Sequence, residues 1–337
     1  MPKPDLVPDL TLTAAPKLRI VIPGGSGQVG QVLARHFHCK GHSVTVLSRR
    51  ADAPAPWKIV PWNGRDLNGW TEAIDGADVV INLSGRSVNC RYSSANRREI
   101  LESRVLSTRA VGRAIGQAAH PPALWMNAST ATIYRHTLDR SMDEATGEIG
   151  GSEPGAPRKW RFSIDVATSW EKELFTAETP HTRKIALRSA ITLSPDAGGI
   201  FDTLLTLVRR GLGGHAASGK QFISWIHEDD FIRCVEFLIG RKDLDGCVNI
   251  CSPCPKPNEE FMRVLRCAWG TSIGLPATRW MLKIGAILMR TETELILKSR
   301  RVIPQRLLAE GFEFNFADWN SASQDLVNRW RRQHAKT

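Results

Sequence analysis

KLRIVIPGGSGQVGQVLARHFHCKGHSVTVL, residues 17–47, decides how the rest of the chain is read. Leu18 to Ile22 is an apolar run of strand length. Val29, Val32, Leu33 and Phe37 then recur at helical spacing until Gly41 stops the helix, and Val44 to Leu47 is the next strand. Between the first strand and the helix stands Gly24-Gly25-Ser26-Gly27-Gln28-Val29-Gly30. In a strand–turn–helix–strand unit such glycines have separate roles. One permits the tight turn, one lets a phosphate approach the backbone, and one lets helix pack on strand. Free N–H groups at the helix start then hold the anion. Gly24, Gly27 and Gly30 are spaced GxxGxxG rather than GxGxxG, and a plain glycine-rich turn reads the same way in isolation. Placed between a strand and an amphipathic helix, the run predicts a dinucleotide site along Gly24 to Gly30.

The second strand ends in Ser48-Arg49-Arg50. An NAD-specific site places an acidic residue here to bind the ribose 2′-hydroxyl, whereas a basic residue suits a 2′-phosphate. The sequence therefore favours NADP(H) over NAD(H), with Arg49 as the main contact and Arg50 beside it, against the plainer reading of a solvated arginine pair.

A chain of 337 residues buries a core without staples, as one α/β domain plus a second lobe. Seven cysteines, an odd number, and the lack of a signal-peptide pattern argue against a disulfide framework and predict a cytoplasmic protein with reduced thiols. The net charge of +11 is spread over separate pairs, such as Arg97-Arg98, Arg209-Arg210, Arg300-Arg301 and Arg331-Arg332. No block or module collects them, so nucleic acid is not the expected partner and a small-molecule substrate, anionic in keeping with that charge, is the more economical one. The most apolar later segment, Trp280 to Met289, contains Lys283 and falls short of the ~20 residues that a membrane span needs.

Residues 1–16, with Pro2, Pro4, Pro8 and Pro16, read as a flexible extension, and Ala51 to Pro56 as a loop. Lys58 to Trp62 suggests a third strand. Asp78 to Leu83 reads as a buried strand that turns at Ser84-Gly85, and in an open parallel sheet the turn Asn82-Leu83-Ser84-Gly85 lines the ligand cleft. Glu99 to Ala119 is a helix ended by Pro121-Pro122, and Leu124 to Ala128 is a strand delivering Ser129, Thr130 and Tyr134 to the same edge. Hydroxyls there suit a substrate carbonyl, although such a cluster is also common turn chemistry.

On these segments the chain resembles the extended short-chain dehydrogenases/reductases, the NAD-dependent epimerase/dehydratase superfamily. GLGG at 211–214, GKQFISWIHEDD at 219–230, RVIPQRLL at 301–308 and GFEF at 311–314 are similar to an atypical branch, the "epimerase family" proteins with a C-terminal domain of unknown function (DUF1731-type). The resemblance runs from about Lys17 to the C-terminus. It implies a Rossmann-like doubly wound parallel sheet over 17–190, to which later segments return. It also implies a smaller, mostly helical substrate lobe over 191–337, with the family-specific part near 275–330.

Active members of the superfamily resemble one another in a Ser/Thr and a Tyr-x-x-x-Lys pair, in which lysine lowers the phenol pKa and the phenolate moves the substrate proton. Here Tyr92 is followed four residues on by Asn96 and Tyr134 by Leu138, so the pair is missing. Aligned on Trp170-Glu171, Ser163 stands at the tyrosine position and Ala167 at the lysine position. Thr130 stands at the Ser/Thr position with Ser129, a cofactor contact, beside it, so Thr130 and Tyr134 are the catalytic candidates, Tyr134 needing Arg135, Lys159 or another cation near it. A Tyr packed in the core with its hydroxyl satisfied is the alternative. Arg135 and Asn127 depart from the glycine and serine usual at their positions.

Arg140 to Arg161 reads as a loop over the cleft, whose Arg158-Lys159-Trp160-Arg161 either binds a substrate anion or is solvated. Asp229 or Asp230 is the expected N-cap of a helix over Phe231 to Ile239, with His227 as an acid–base or anchoring residue and Arg188 as structural or ligand-orienting. Cys247, Cys251 and Cys254 lack the further ligands a structural zinc needs, so no metal is expected. Two readings follow: an NADP(H)-dependent oxidoreductase or epimerase-like enzyme of a small molecule, or a dinucleotide-binding redox sensor or interaction protein with little turnover.

Overall fold

The structure, a computed structural model, describes residues 16–50, 54–153, 156–278, 281 and 292–335. Residues 1–15 of the extension expected over 1–16, the start of the loop after Arg50, and Trp280 to Met289 apart from Met281 lie outside the described residues.

The first half alternates strand and helix: β1 (Arg19–Pro23), α1 (Gln28–Cys39), β2 (Ser43–Ser48), β3 (Lys58–Pro61), β4 (Val79–Asn82), α2 (Ser94–Gln117), β5 (Leu124–Thr130), α3 (Arg161–Phe175) and β6 (Arg183–Ser189). The second half continues with β7 (Ile191–Leu193), α4 (Ile200–Arg209), β8 (Phe222–Ile223), β9 (Trp225–His227), α5 (Glu228–Gly240), β10 (Gly246–Ile250), β11 (Lys256–Pro257) and α6 (Asn258–Trp269). A C-terminal helix, Trp319–His334, follows.

Seven strands form one parallel sheet in the order β10-β6-β5-β4-β1-β2-β3. This is the Rossmann-like doubly wound α/β fold. The inner strands are flanked by crossovers and buried on both faces, which is why Ile20, Ile22, Val46, Ile81, Met126 and Ile185 come from near-continuous apolar runs, whereas the edge strand β3 is only partly covered. Each such side chain contributes about 1.5–3 kcal/mol on burial. Strand order reverses at β1, between β2 and β4, and that reversal opens a crevice at the carboxyl ends.

The chain leaves the sheet after β6 and returns to it at β10, while α5 packs on α1 with Phe231, Val235 and Leu238 in the main core. The stretch from Ile185 to Leu193 holds two strands: β6 stays in the sheet, and β7 pairs with β9 in a separate sheet. A second core joins α4, α6 and the C-terminal helix through Phe201, Leu205, Leu265, Trp319 and Leu326. Among the described residues no helix is long and apolar enough to cross a membrane.

Candidate functional site

Because all seven strands point one way, Pro23, Ser48, Asn82, Thr130 and Ser189 end at the same edge, where the turn after β1 meets the turn after β4. Gly24 has φ +75°, and a Cβ on it would lie 2.7 Å from Ser84 Cα. A side chain here would be strained and would push the two turns apart. A Cβ on Gly30 would lie 2.4 Å from Gly25 Cα, so this glycine lets α1 sit against the turn. Gly25 is also a packing residue, since its Cβ would crowd the Ile22 carbonyl and Val46. Gly27 differs from all three: its φ is ordinary, and a Cβ would meet nothing nearer than the Gly24 carbonyl at 3.7 Å. Packing does not require glycine there. What a side chain at Gly27 would fill is the space over the start of α1, whose N-terminus has no side-chain cap. Ser84 Oγ, against Gly24, and Gln28 Nε2, against Gly199, are buried without hydrogen-bond partners among the described residues, a state that a ligand or ordered water relieves. Val29 packs against the core and offers only its backbone to the turn.

Ser26 is exposed and accepts a hydrogen bond from Ser48 Oγ at 3.0 Å, which fixes the turn to the end of β2. Ser48 Oγ also accepts from the Arg50 N–H at 3.0 Å. Arg49 and Arg50 are both exposed, and neither guanidinium forms an ion pair among the described residues.

Asn82 and Ser129, read from the sequence as cofactor contacts, have other uses. Asn82 is fully buried: its Nδ2 donates to Asn127 Oδ1 at 2.7 Å, and its Oδ1 accepts from the Ser84 N–H at 3.1 Å. It shapes the turn from beneath, and Asn127 is the partner that makes this possible. Leu83 packs on the core, and Gly85 leaves room for the Arg104 guanidinium, which a Cβ would approach to 3.1 Å. Ser129 Oγ donates to Glu171 Oε1 at 2.6 Å. Thr130 is half-buried at the end of β5, where its Oγ1 accepts from the Thr132 N–H at 3.1 Å.

Tyr134 is 2% exposed and does not face the cleft. Its hydroxyl donates to Asn249 Oδ1 at 2.9 Å and accepts from Arg188 Nη1 at 2.9 Å. Burial pushes its pKa up to about 12 against the opposing charge of Arg188, so it is a poor proton donor near neutral pH. The cation beside it is Arg188, whereas Arg135 pairs with Glu148 at 3.0 Å. Arg188 itself grips Glu171 with two bonds of 2.8 Å. Burial disfavours its charge, but the bonds and charge of Glu171 outweigh that and raise its pKa. Arg188, Glu171, Ser129, Tyr134 and Asn249 are thus one saturated network under the floor of the cleft.

At the positions of the missing pair, Ala167 is fully buried in a cluster with Tyr134 and Met142, and Ser163 Oγ donates to Glu294 Oε2 at 2.9 Å. Glu294 belongs to the segment Glu292 to Arg301, which runs past α3 and the end of β5. Its Oε1 is buried without a partner, and burial raises its pKa, opposed by Arg300 and Lys298. Lys159 Nζ donates to Thr293 Oγ1 at 3.2 Å, Lys298 Nζ to the Thr132 carbonyl at 2.8 Å, and Arg300 Nε to Thr132 Oγ1 at 2.9 Å. Sequence reasoning singled out Lys159 but missed the others: Arg300 is one half of a scattered basic pair, and Glu294 and Lys298 carry no motif.

His227 is fully buried, stacked on Phe316, and serves as the N-cap of α5: Nδ1 accepts from the Asp229 N–H and Nε2 donates to Asp325, each at 3.1 Å. The expected caps are otherwise engaged. Asp230 accepts the N–H groups of Asn315 and Phe316, and Asp229 pairs with Arg329. Of the three cysteines, Cys251 is buried, Cys254 is exposed, and Cys247 Sγ donates to Glu171 Oε2 at 3.7 Å. A cavity of about 470 Å³ lies at the opposite, amino-terminal edge among Arg19, Ser43 and Lys58, away from every group above.

Residues 20–168 match the family described as the NAD dependent epimerase/dehydratase family, and residues 277–326 match a domain of unknown function, DUF1731. The epimerase family protein SDR39U1 of Bos taurus is 30% identical over 318 residues, which are 92% of this chain and 100% of the relative. The chain belongs to the epimerase family. Among solved structures, human epimerase family protein SDR39U1 (isoform 2) with NADPH superposes with a TM-score of 0.78 at 26% identity, over 92% of this chain and 99% of that one. The Bordetella bronchiseptica enzyme WbmG in complex with NAD superposes at 0.69 with 16% identity, covering 96% and 97%, which speaks to the fold alone.

Proposed function

We propose that this epimerase-family protein binds NADP(H) across the carboxyl edge of its sheet and acts on a small molecule as an oxidoreductase or epimerase-like enzyme. The observation that carries the reading is Gly27, a glycine that packing does not need, at the uncapped start of α1, in a turn whose Gly24 lies against the unpartnered Ser84 Oγ. Gly24 to Gly30 would hold the pyrophosphate on backbone N–H groups. Ser26, Arg49 and Arg50 would hold the adenosine ribose and its 2′-phosphate. Neither arginine is ion-paired among the described residues, which supports NADP(H), as does the NADPH in the human relative's structure. A bound nicotinamide supplies or accepts hydride.

Thr130 is the residue we assign to orient the substrate, and the lobe of α4, α6 and the C-terminal helix to cover it. A second reading, a dinucleotide sensor with little turnover, is favoured by one observation: Tyr134 is locked in the buried network and Ala167 replaces the lysine. Turnover separates them. With NADPH and a panel of aldehydes and ketones, the enzyme reading predicts a substrate-dependent loss of nicotinamide absorbance that Thr130→Ala slows at least tenfold. Tight NADPH binding with no loss on any carbonyl leaves the sensor reading.

A further inference from the structure

A cavity of about 220 Å³ opens beside α3, lined by Ser152, Glu153, Arg158, Trp160, Arg161 and Lys298 among others. We propose that it binds the carboxylate or phosphoryl group of an acidic small molecule, held by Lys298 and the Trp160 indole N–H. Lys298 is 1% exposed, yet the Thr132 carbonyl is the one acceptor its Nζ reaches among the described residues, at 2.8 Å. Two of its three donor hydrogens therefore lack partners. Trp160, which also lines the cavity, carries a second orphan: its Nε1 is buried with no partner among the described residues. Both groups are donors, so what they lack is an acceptor.

The charges around the cavity agree. Arg158 and Arg161 stand at its rim, and Arg158 has no ion pair among the described residues. The one carboxylate in the lining, Glu153, is already occupied: it accepts from the His136 N–H at 2.9 Å and the Gly151 N–H at 2.5 Å. Trp160, Arg161 and Ile164 also place the cavity at the start of α3, a 15-residue helix with no side-chain cap, where the helix dipole favours an anion. Burial, with Arg300 adding to it, pulls the Lys298 pKa down to about 8, while Glu294 and Glu153 oppose the shift. An anion in the cavity would supply the further acceptors that the carbonyl of Thr132 alone leaves this ammonium without.

The cavity adjoins the proposed reaction site, because Ile164 follows Ser163 and Thr132 lies two residues past Thr130. It thus names the substrate class of the proposed function, an acid or a phosphate ester, and rests on that reading for its role as a substrate site. Anion binding is separable and is tested without nucleotide. In ¹⁵N-labelled protein the Trp160 indole resonance is assigned by its loss in Trp160→Phe, and acetate and inorganic phosphate are titrated at constant ionic strength. A saturable downfield shift of that resonance is expected. Acetate acting alone marks a carboxylic acid and phosphate alone a phosphate ester. Lys298→Met should weaken the response at least tenfold, and Arg158→Ala, a rim change that leaves the fold alone, at least threefold. No saturable shift with either anion overturns the proposal, as does an unchanged response in Arg158→Ala and in folded Lys298→Met. Because NADPH is absent, failure here leaves cofactor binding intact, and failure of cofactor binding leaves this result standing.

Discussion

Replacing Glu171 with glutamine tests whether the network under the cleft is structural. The wild-type carboxylate accepts two charge-assisted bonds of 2.8 Å from Arg188 and one of 2.6 Å from Ser129. Both side chains of the pair are about one-tenth exposed. Glutamine keeps the shape but removes the counter-charge and turns a donor toward Arg188. Breaking a buried pair from one side costs about 3–5 kcal/mol, because a desolvated charge is left behind. Tyr134→Phe strips one acceptor from Arg188 and one donor from Asn249, costing about 1–3 kcal/mol. Both changes act on Arg188, so the double variant should lose less than the sum, by about 0.5–3 kcal/mol. Urea unfolding reads this directly. With m near 3 kcal/mol/M, Glu171→Gln should lower the midpoint by about 1–1.7 M with m unchanged. A Glu171→Gln midpoint within about 0.3 M of wild type, or strictly additive losses, would refute the account of the network.

Three further outcomes follow from the same geometry. Gly27→Val should leave thermal stability nearly unchanged while abolishing NADPH binding, whereas Gly30→Val, which drives a Cβ into Gly25, should cost about 1–3 kcal/mol of stability. Lys298 has a folded pKa near 8, below its ordinary 10.5. The folded state thus sheds its proton first, and stability should rise by about 3 kcal/mol as pH climbs from 8 to 10.5. Lys298→Met should flatten that rise and stabilise the protein at pH 7, as a thermal-melt pH series would show. Tyr134 works the other way: its pKa, raised from 10.0 to about 12, makes the unfolded state lose its proton first. Stability should fall by about 2–3 kcal/mol between pH 10 and 12, an effect that Tyr134→Phe removes in a urea series at those pH values.

Much of the sheet was legible because local pattern and tertiary role coincide there. Val29, Val32, Leu33 and Phe37 are periodic because one face of α1 packs on the sheet, and the predicted stop at Gly41 is the φ +82° residue just past Cys39. The cleft's underside was not legible. Arg188 meets Tyr134 across 54 positions, and nothing near either residue reveals that the phenol is spent on an arginine and an asparagine. The cap of α5 was misread because aspartate is the better cap by propensity, while tertiary demand sends Asp230 to Asn315 and Phe316 and leaves His227 to cap. Glu292 to Arg300 carries no motif. Docking against α3 and Thr132 is what buries Glu294, which accepts from Ser163, and Lys298, which donates to the Thr132 carbonyl.

The measurement that bears most directly on the central claim is titration of the purified protein with NADPH and with NADH, followed by nicotinamide fluorescence, in wild type and Arg49→Ala. A charge-assisted contact to the 2′-phosphate is worth about 1.5–3 kcal/mol, so Arg49→Ala should weaken NADPH binding roughly 10- to 150-fold and leave NADH binding unchanged. Equal affinity for the two nucleotides in wild type, or no binding of either, would contradict the account.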